Sequence, residues 1–131
     1  MQHLNSVLLE GVLVDDPRLV IDNGNNRMAK ISLASDRFYI SRDGQKCSDT
    51  LFIPVQFWGG IADKAMEKLS KGTTVRVVGR LRMSRWTADD GSARSAIEIV
   101  ADHVEFRSKL KGSKSETIDA TESDNGEAVS F

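Results

Sequence analysis

The sequence predicts an all-β domain: a five-stranded barrel with one short helix between its third and fourth strands, followed by a disordered C-terminal tail. Three observations carry that prediction. Apolar and β-branched runs of strand length recur between residues 6 and 106, separated by turn signals. One segment, after the third run, shows helical instead of alternating spacing. After Lys111 the chain turns to Ser, Thr, Asp, Glu and Gly with few apolar residues, too few to offset the entropy of ordering them. The barrel domain is therefore placed at residues 1–111 and the disordered tail at residues 112–131.

The first run, "SVLLEGVLV" (Ser6 to Val14), carries Gly11 at its centre, which suggests a bulge or a sharp bend. "DDPR" ends it. "LVIDNGNNRMAKISLAS" holds an Asn23-Gly24 turn between extended runs, and "RDGQKCSD" reads as a polar loop containing Cys47. "LFIPVQFW" is the third strand. In "GGIADKAMEKLSKG", Ile61, Ala62, Ala65, Met66 and Leu69 recur at helical spacing, with Gly72 placed to end the helix. "TTVRVVGRLRMSRW" is a long strand, "TADDGSAR" a hairpin loop with Asp90-Gly91 inside it, and "SAIEIVADHVEF" a last strand bent near Asp102. This order of strands and helix is that of the OB-fold barrel.

Bulk properties narrow the function. The 131 residues are 40% hydrophobic and 28% charged, enough for one core and little more. The chain lacks a run long enough for a membrane span and a signal-peptide pattern, and a single cysteine rules out an intrachain disulfide; a reducing cytoplasm is the expected location. The net charge of −1 hides a split. Through Lys114 there are 18 Lys/Arg against 14 Asp/Glu, a balance of +4, whereas Glu116, Asp119, Glu122, Asp124 and Glu127 give the remainder −5. Such asymmetry points to two different partners, to a tail that competes for the body's ligand, or simply to a solubilising tail. No metal-ligand spacing, phosphate-binding glycine loop or matched His and carboxylate set appears, so the expectation is a protein that is not an enzyme and needs no cofactor.

Two strands carry the chemistry. In "LFIPVQFW", Ile53, Val55 and Phe57 share one face and fill a core, while Phe52, Gln56 and Trp58 share the other. In "VRVVGRLRMSRW", Val75, Val77, Leu81 and Met83 alternate with Arg76, Val78, Arg80, Arg82, Ser84 and Trp86, unless a bulge at Gly79 breaks the phase. Outward aromatics beside a row of arginines suit a single-stranded nucleic acid. Rings stack on bases, for about 1–3 kcal/mol each. Arginine forks hold phosphate. The candidates are Phe52, Trp58 and Trp86 for bases, with Arg80, Arg82, Arg85 and Arg94 for the backbone; Arg76 fits an interface equally well. Stacking tolerates ribose, so the pattern itself admits RNA as well as DNA. Packing against a neighbour and a plain surface cation–π pair are the structural alternatives. Lys30 and Lys71 read as solvated.

The chain resembles the bacterial single-stranded DNA-binding proteins of the homotetrameric type. The segments that carry the resemblance are "NSVLLEGVLVDDPRL", "MAKISLAS", "FIPVQFWGGIADKAMEKLSKGTTVRVVGRLRMSRWTADDG" and "EIVADHVEF", together most of residues 5–106. The resemblance implies sequence-independent binding of single-stranded DNA in replication, recombination and repair. It also implies assembly as a homotetramer with His3 to Leu9 near the subunit interface, and association with the nucleoid. Its stacking aromatics fall on Phe38 or Tyr39, on Phe52, on Trp58 and on Trp86. Family tails end in an acidic, proline-containing tip that docks on replication and repair proteins. Here the corresponding residues are Glu127, Val129, Ser130 and Phe131, with Ser130 where the family has proline and without a dense acidic run.

Overall fold

The computed structural model describes residues 2–107 and 115–119. The elements in chain order are β1 (Val7–Leu13), β2 (Arg18–Asn23), β3 (Asn26–Ile40), β4 (Lys46–Trp58), α1 (Gly60–Lys68), β5 (Thr74–Thr87), β6 (Ala93–Arg107) and β7 (Ser115–Asp119). Hydrogen bonding runs β1-β5-β6-β4-β3, and β1 also pairs with β3, so five strands close into a barrel. The pairs are antiparallel except β4 with β6, which run parallel at Val55↔Ile99 and Gln56↔Val100. This is the predicted OB barrel, with its helix between the third and fourth barrel strands, β4 and β5. The run around Asn23-Gly24 divides into β2 and β3, and β2 hangs on the outer edge of β3.

Inward side chains follow strand alternation: Ala29, Ile31 and Leu33 on β3, Val55 and Phe57 on β4, Val75 and Val77 on β5. On β6 the sequence of core positions is Ile99, Ala101, then Val104 and Phe106. The extra residue in that step is Asp102: Val78 pairs with His103 and Gly79 with Ala101, leaving Asp102 as a bulge. The bend expected near Asp102 is this bulge, and the alternation of β5 itself continues unbroken past Gly79. A Cβ on Gly79 would stand 2.1 Å from the Val100 carbonyl oxygen, closer than any side chain tolerates. Gly11 plays the matching part at the barrel seam. It pairs with Val75 of β5 while the next residue, Val12, also pairs with Ala34 of β3. A Cβ there would meet the Ala34 carbonyl oxygen at 2.5 Å. The expected irregularity at Gly11 is thus a close strand crossing.

Helix α1 plugs the barrel with Ile61, Ala62 and Ala65, and Leu69 just beyond it is buried too. Two expectations are corrected. Met66 is 39% exposed, because the helix is only nine residues long and its apolar stripe is narrow. Gly72 does not end the helix; Leu69 caps it in extended conformation, and Gly72 belongs to the next turn, donating its N–H to the Leu13 carbonyl. Arg27 ties the helix to the β2–β3 hairpin through Asp63 at 2.8 Å and Asp22 at 3.3 Å, and both carboxylates push its pKa up.

The loop expected around Cys47 is shorter than predicted. β3 and β4 stay in register from Met28↔Trp58 to Ile40↔Lys46, so Cys47 lies in a strand opposite Tyr39, and only residues 41–45 turn. The other correction falls in the tail. Within the stretch assigned to disorder, Ser115–Asp119 forms β7, pairing antiparallel with β6 from Arg107 to His103. The reason is Ile118, 3% exposed, which opposes Val104 and joins the core, with Thr117 buried beside it. The rest of the predicted tail lies outside the described residues. Among the described residues no helix is long and apolar enough to cross a membrane.

The two crossings generate a stability prediction. Gly79→Ala and Gly11→Ala each force backbone apart in a packed barrel and are expected to cost about 1–3 kcal/mol. Urea unfolding would show this as a lowered midpoint with an unchanged slope; a midpoint equal to that of the parent protein would mean that the strands separate freely there.

Candidate nucleic-acid interface

Cross-strand register shows which side chains share the outer face. Along the β3–β4 ribbon the outward pairs are Met28↔Trp58, Lys30↔Gln56, Ser32↔Pro54, Ala34↔Phe52, Asp36↔Thr50 and Phe38↔Ser48. Phe38 therefore stands on the face of Phe52 and Trp58. Tyr39 alternates to the other side, where the Arg37 guanidinium lies 5.1 Å from its ring centre. By this alternation Phe38, and not Tyr39, lies on the face that carries Phe52 and Trp58. Phe38 is 78% and Phe52 66% exposed, while Trp58 is half-buried. Phe52 and Trp58 are six residues apart on one strand, about 20 Å at strand rise.

The face continues onto the β5–β6 ribbon, since β6 lies against β4 at Gln56↔Val100. Its outward pairs there are Arg80↔Val100, Arg82↔Glu98, Ser84↔Ala96 and Trp86↔Arg94. Beyond Gly79 this ribbon leaves the barrel. Leu81, Met83 and Ile97 continue the inner face of the two strands yet are 42%, 48% and 52% exposed, because among the described residues no core lies beneath them. Trp86, 49% exposed, sits directly opposite Arg94 near the tip. The tip turn is closed by Ala88 N–H to the Ser92 carbonyl at 2.9 Å, and Asp90 accepts from both the amide and the hydroxyl of Ser92 at 2.9 and 2.6 Å. The Ser92 hydroxyl, then its amide, hold the Asp90 carboxyl below the usual carboxylate range. Stability from this turn is thus complete above the ordinary carboxylate pKa and is lost only as pH falls through the lowered value. Arg94 leans on the same turn, donating Nε–H to the Ser92 hydroxyl at 3.2 Å.

The candidate arginines separate by environment. Arg82 is exposed and makes no ion pair among the described residues. Arg80 is held 3.4 Å from the exposed Asp102. Arg85 alternates to the opposite face, beside Leu81 and Met83, and shares only the hollow at the tip with Trp86 and Arg94. Arg76 is not brought to the aromatic rings. It lies on the far side of the bulge between Glu10 at 3.1 Å and Glu105 at 3.3 Å. His103 is half-buried, 3.2 Å from Glu105. The tail residues Glu127, Val129, Ser130 and Phe131 lie outside the described residues.

Sequence reasoning missed the polar centre of the face. Lys30, expected to be solvated, has a side chain only 21% exposed and pairs with Glu98 at 3.0 Å. Gln56 donates to Glu98 at 2.7 Å, and the Trp58 indole N–H donates to Gln56 at 2.9 Å. Alternation around Ile97 and Ile99 signals an outward Glu98, but its burial depends on strands distant in sequence. Among the described residues no group of three or more His, Cys, Asp or Glu side chains is placed to hold a metal ion.

Several known proteins are similar to this chain. The model of the Single-strand binding protein family matches residues 4–107. A single-stranded DNA-binding protein of Clostridium acetobutylicum, designated 2, is 35% identical over 117 residues, covering 88% of this chain and 86% of its own. The single-stranded DNA-binding protein of Clostridium tetani is 38% identical over 104 residues, 79% of this chain and 70% of its own. Among solved structures, a Plasmodium falciparum SSB complex with ssDNA superposes with a TM-score of 0.69 at 27% identity, covering 91% of this chain and 96% of that one.

Exposure makes a direct stability prediction for these rings. Phe38→Ala and Phe52→Ala are expected to shift stability by no more than about 0.5 kcal/mol. Phe57→Ala, at a wholly buried ring, is expected to cost about 3–5 kcal/mol. Thermal unfolding of the three variants checks the contrast.

Proposed function

The chain belongs to the single-strand binding protein family, and from that premise we propose that it binds single-stranded DNA, without reading its sequence, across the outer face of β3, β4, β5 and β6. The observation that carries this reading is the placement of Phe38, Phe52, Trp58 and Trp86 on one continuous face, with Phe38 and Phe52 largely exposed and Trp86 about half so. A core has no use for exposed rings in a row, whereas bases supply a stacking partner for each. Arg82, with no ion pair among the described residues, and Arg80 and Arg94, with weak ones, lie among the rings and suit the phosphates. Arg76, already neutralised by two carboxylates, supports the reading least.

The protein so described protects exposed strands in replication, recombination and repair on the nucleoid. It melts hairpins by mass action, because a ligand of the unpaired state draws the equilibrium open. Assembly as a homotetramer is supported by the outer side of β1, where Leu8 is 68% and Val12 38% exposed. Recruitment of replication and repair proteins is assigned to Glu127, Val129, Ser130 and Phe131. That assignment rests on the acidic charge after Ser115 and the terminal ring.

Titration with long oligo-dT while following tryptophan emission tests the reading, since Trp58 and Trp86 are the two tryptophans. Strong quenching is expected, with affinity falling as salt rises. Trp86→Ala and Phe52→Ala are each expected to weaken binding by about 5- to 150-fold, the loss of one stacked base. A folded protein whose tryptophans do not respond, or whose affinity for a matched RNA exceeds that for DNA, overturns it. Deletion of residues 120–131 is expected to preserve or tighten DNA binding, because it removes acidic charge; a marked loss of affinity would contradict the assignment of those residues to partners.

A further inference from the structure

A carboxylate at the centre of a surface that receives phosphates is out of place, and Glu98 is such a group. Register puts it outward on β6, opposite Arg82 and next to Gln56 and Lys30. Its side chain is nevertheless only 4% exposed. A charge so far out of water requires partners, and Glu98 has two. Lys30 Nζ lies 3.0 Å from one oxygen and 3.2 Å from the other. Gln56 donates its amide N–H to Oε1 at 2.7 Å.

The direction of the hydrogen bonds follows from what each group is able to do. A carboxylate only accepts and an indole N–H only donates. Gln56 between them must therefore turn its nitrogen to Glu98 and its oxygen to Trp58, which donates to it at 2.9 Å. The carboxylate thus orients the amide, and the amide orients the ring. Lys30, by contrast, is a cation on the proposed DNA face whose charge is matched internally.

We propose that Glu98 is a positioning residue of this face: it withholds Lys30 from the DNA backbone and, through Gln56, sets the Trp58 ring for stacking. The inference rests on the reading of this face as the site of single-stranded DNA. Lys30 is then not among the cations that neutralise phosphate on binding. An affinity less sensitive to salt results, with stacking carrying a larger share.

The test measures the salt dependence of oligo-dT binding by the full chain, its Glu98→Gln variant and the Lys30→Met/Glu98→Gln double variant. Glutamine keeps an acceptor for Gln56 and removes the charge. The single variant is expected to gain one phosphate contact, steepening the slope of log affinity against log salt by about 0.7. The double variant is expected to return to the parent slope. Equal slopes for the parent and the single variant overturn the proposal. So does a double variant with a slope shallower than the parent's, which would mean that Lys30 already meets phosphate; this arm stands even where the single variant fails to fold. For the ring, Trp86→Phe leaves Trp58 as the one reporter. Adding Glu98→Ala is expected to diminish its quenching by oligo-dT, and undiminished quenching overturns that half. A parent protein that shows no salt-dependent binding at all refutes the DNA reading itself, an outcome distinct from both.

Discussion

At Gly79 the backbone of β5 passes so close to the Val100 carbonyl that no side chain fits between them. That contact, with the bulge at Asp102 facing it, decides what the rest of the molecule does. Below it β5 and β6 are barrel staves with one buried face. Above it the same two strands run on as a ribbon with no core beneath among the described residues, and every side chain from Arg80 to Thr87 is exposed or half-exposed. One alternation thus serves two purposes in succession: Val75 and Val77 hold the barrel together, and Arg82 and Trp86 are carried beyond it. The bulge sits on β6, so β5 keeps its phase, and Arg80, Arg82 and Trp86 stay on one side.

The charges around this ribbon are less available than their number suggests. Arg76, Arg80, Arg94 and Lys30 each stand near a carboxylate of the same surface. The exposed pairs among them, such as those of Arg80 and Arg94, contribute little to stability, at most about 1 kcal/mol each. Their larger effect is on the field a polyanion meets, which is far weaker than a count of basic residues implies. Exposed rings such as Phe38 and Phe52 carry no charge for those carboxylates to offset.

Much of this was legible in the strand pattern, and what was not has a common cause. Alternation in "LFIPVQFW" separates Val55 and Phe57 from Phe52 and Trp58 because one face of β4 meets a core. The same method misplaced Cys47 in a loop: the outer parts of β3 and β4, from Asp36 to Asp49, pair in register with neither face deeply buried, so no apolar period marks them. Glu98 shows the limit in another form. Its outward direction is readable from Ile97 and Ile99, whereas its burial is supplied by Gln56 and Lys30, 42 and 68 residues away in the chain. β7 rests on one apolar residue, Ile118, in a polar stretch. Five residues with a single anchor do not stand out from their composition, although they find a free edge of β6 to pair with.

That short strand changes the geometry of everything that follows it. From Arg107, where β6 ends, Phe131 is 24 residues away; from Asp119, where β7 ends, it is 12. At the maximum of roughly 3.6 Å per residue the contour from Asp119 is about 43 Å, half of what an unpaired tail would allow. With β7 in place, whatever follows Asp119 sets out from a fixed point on the barrel, opposite His103, and not from the end of β6. Releasing β7 from β6 would move that starting point back to Arg107, 12 residues earlier in the chain.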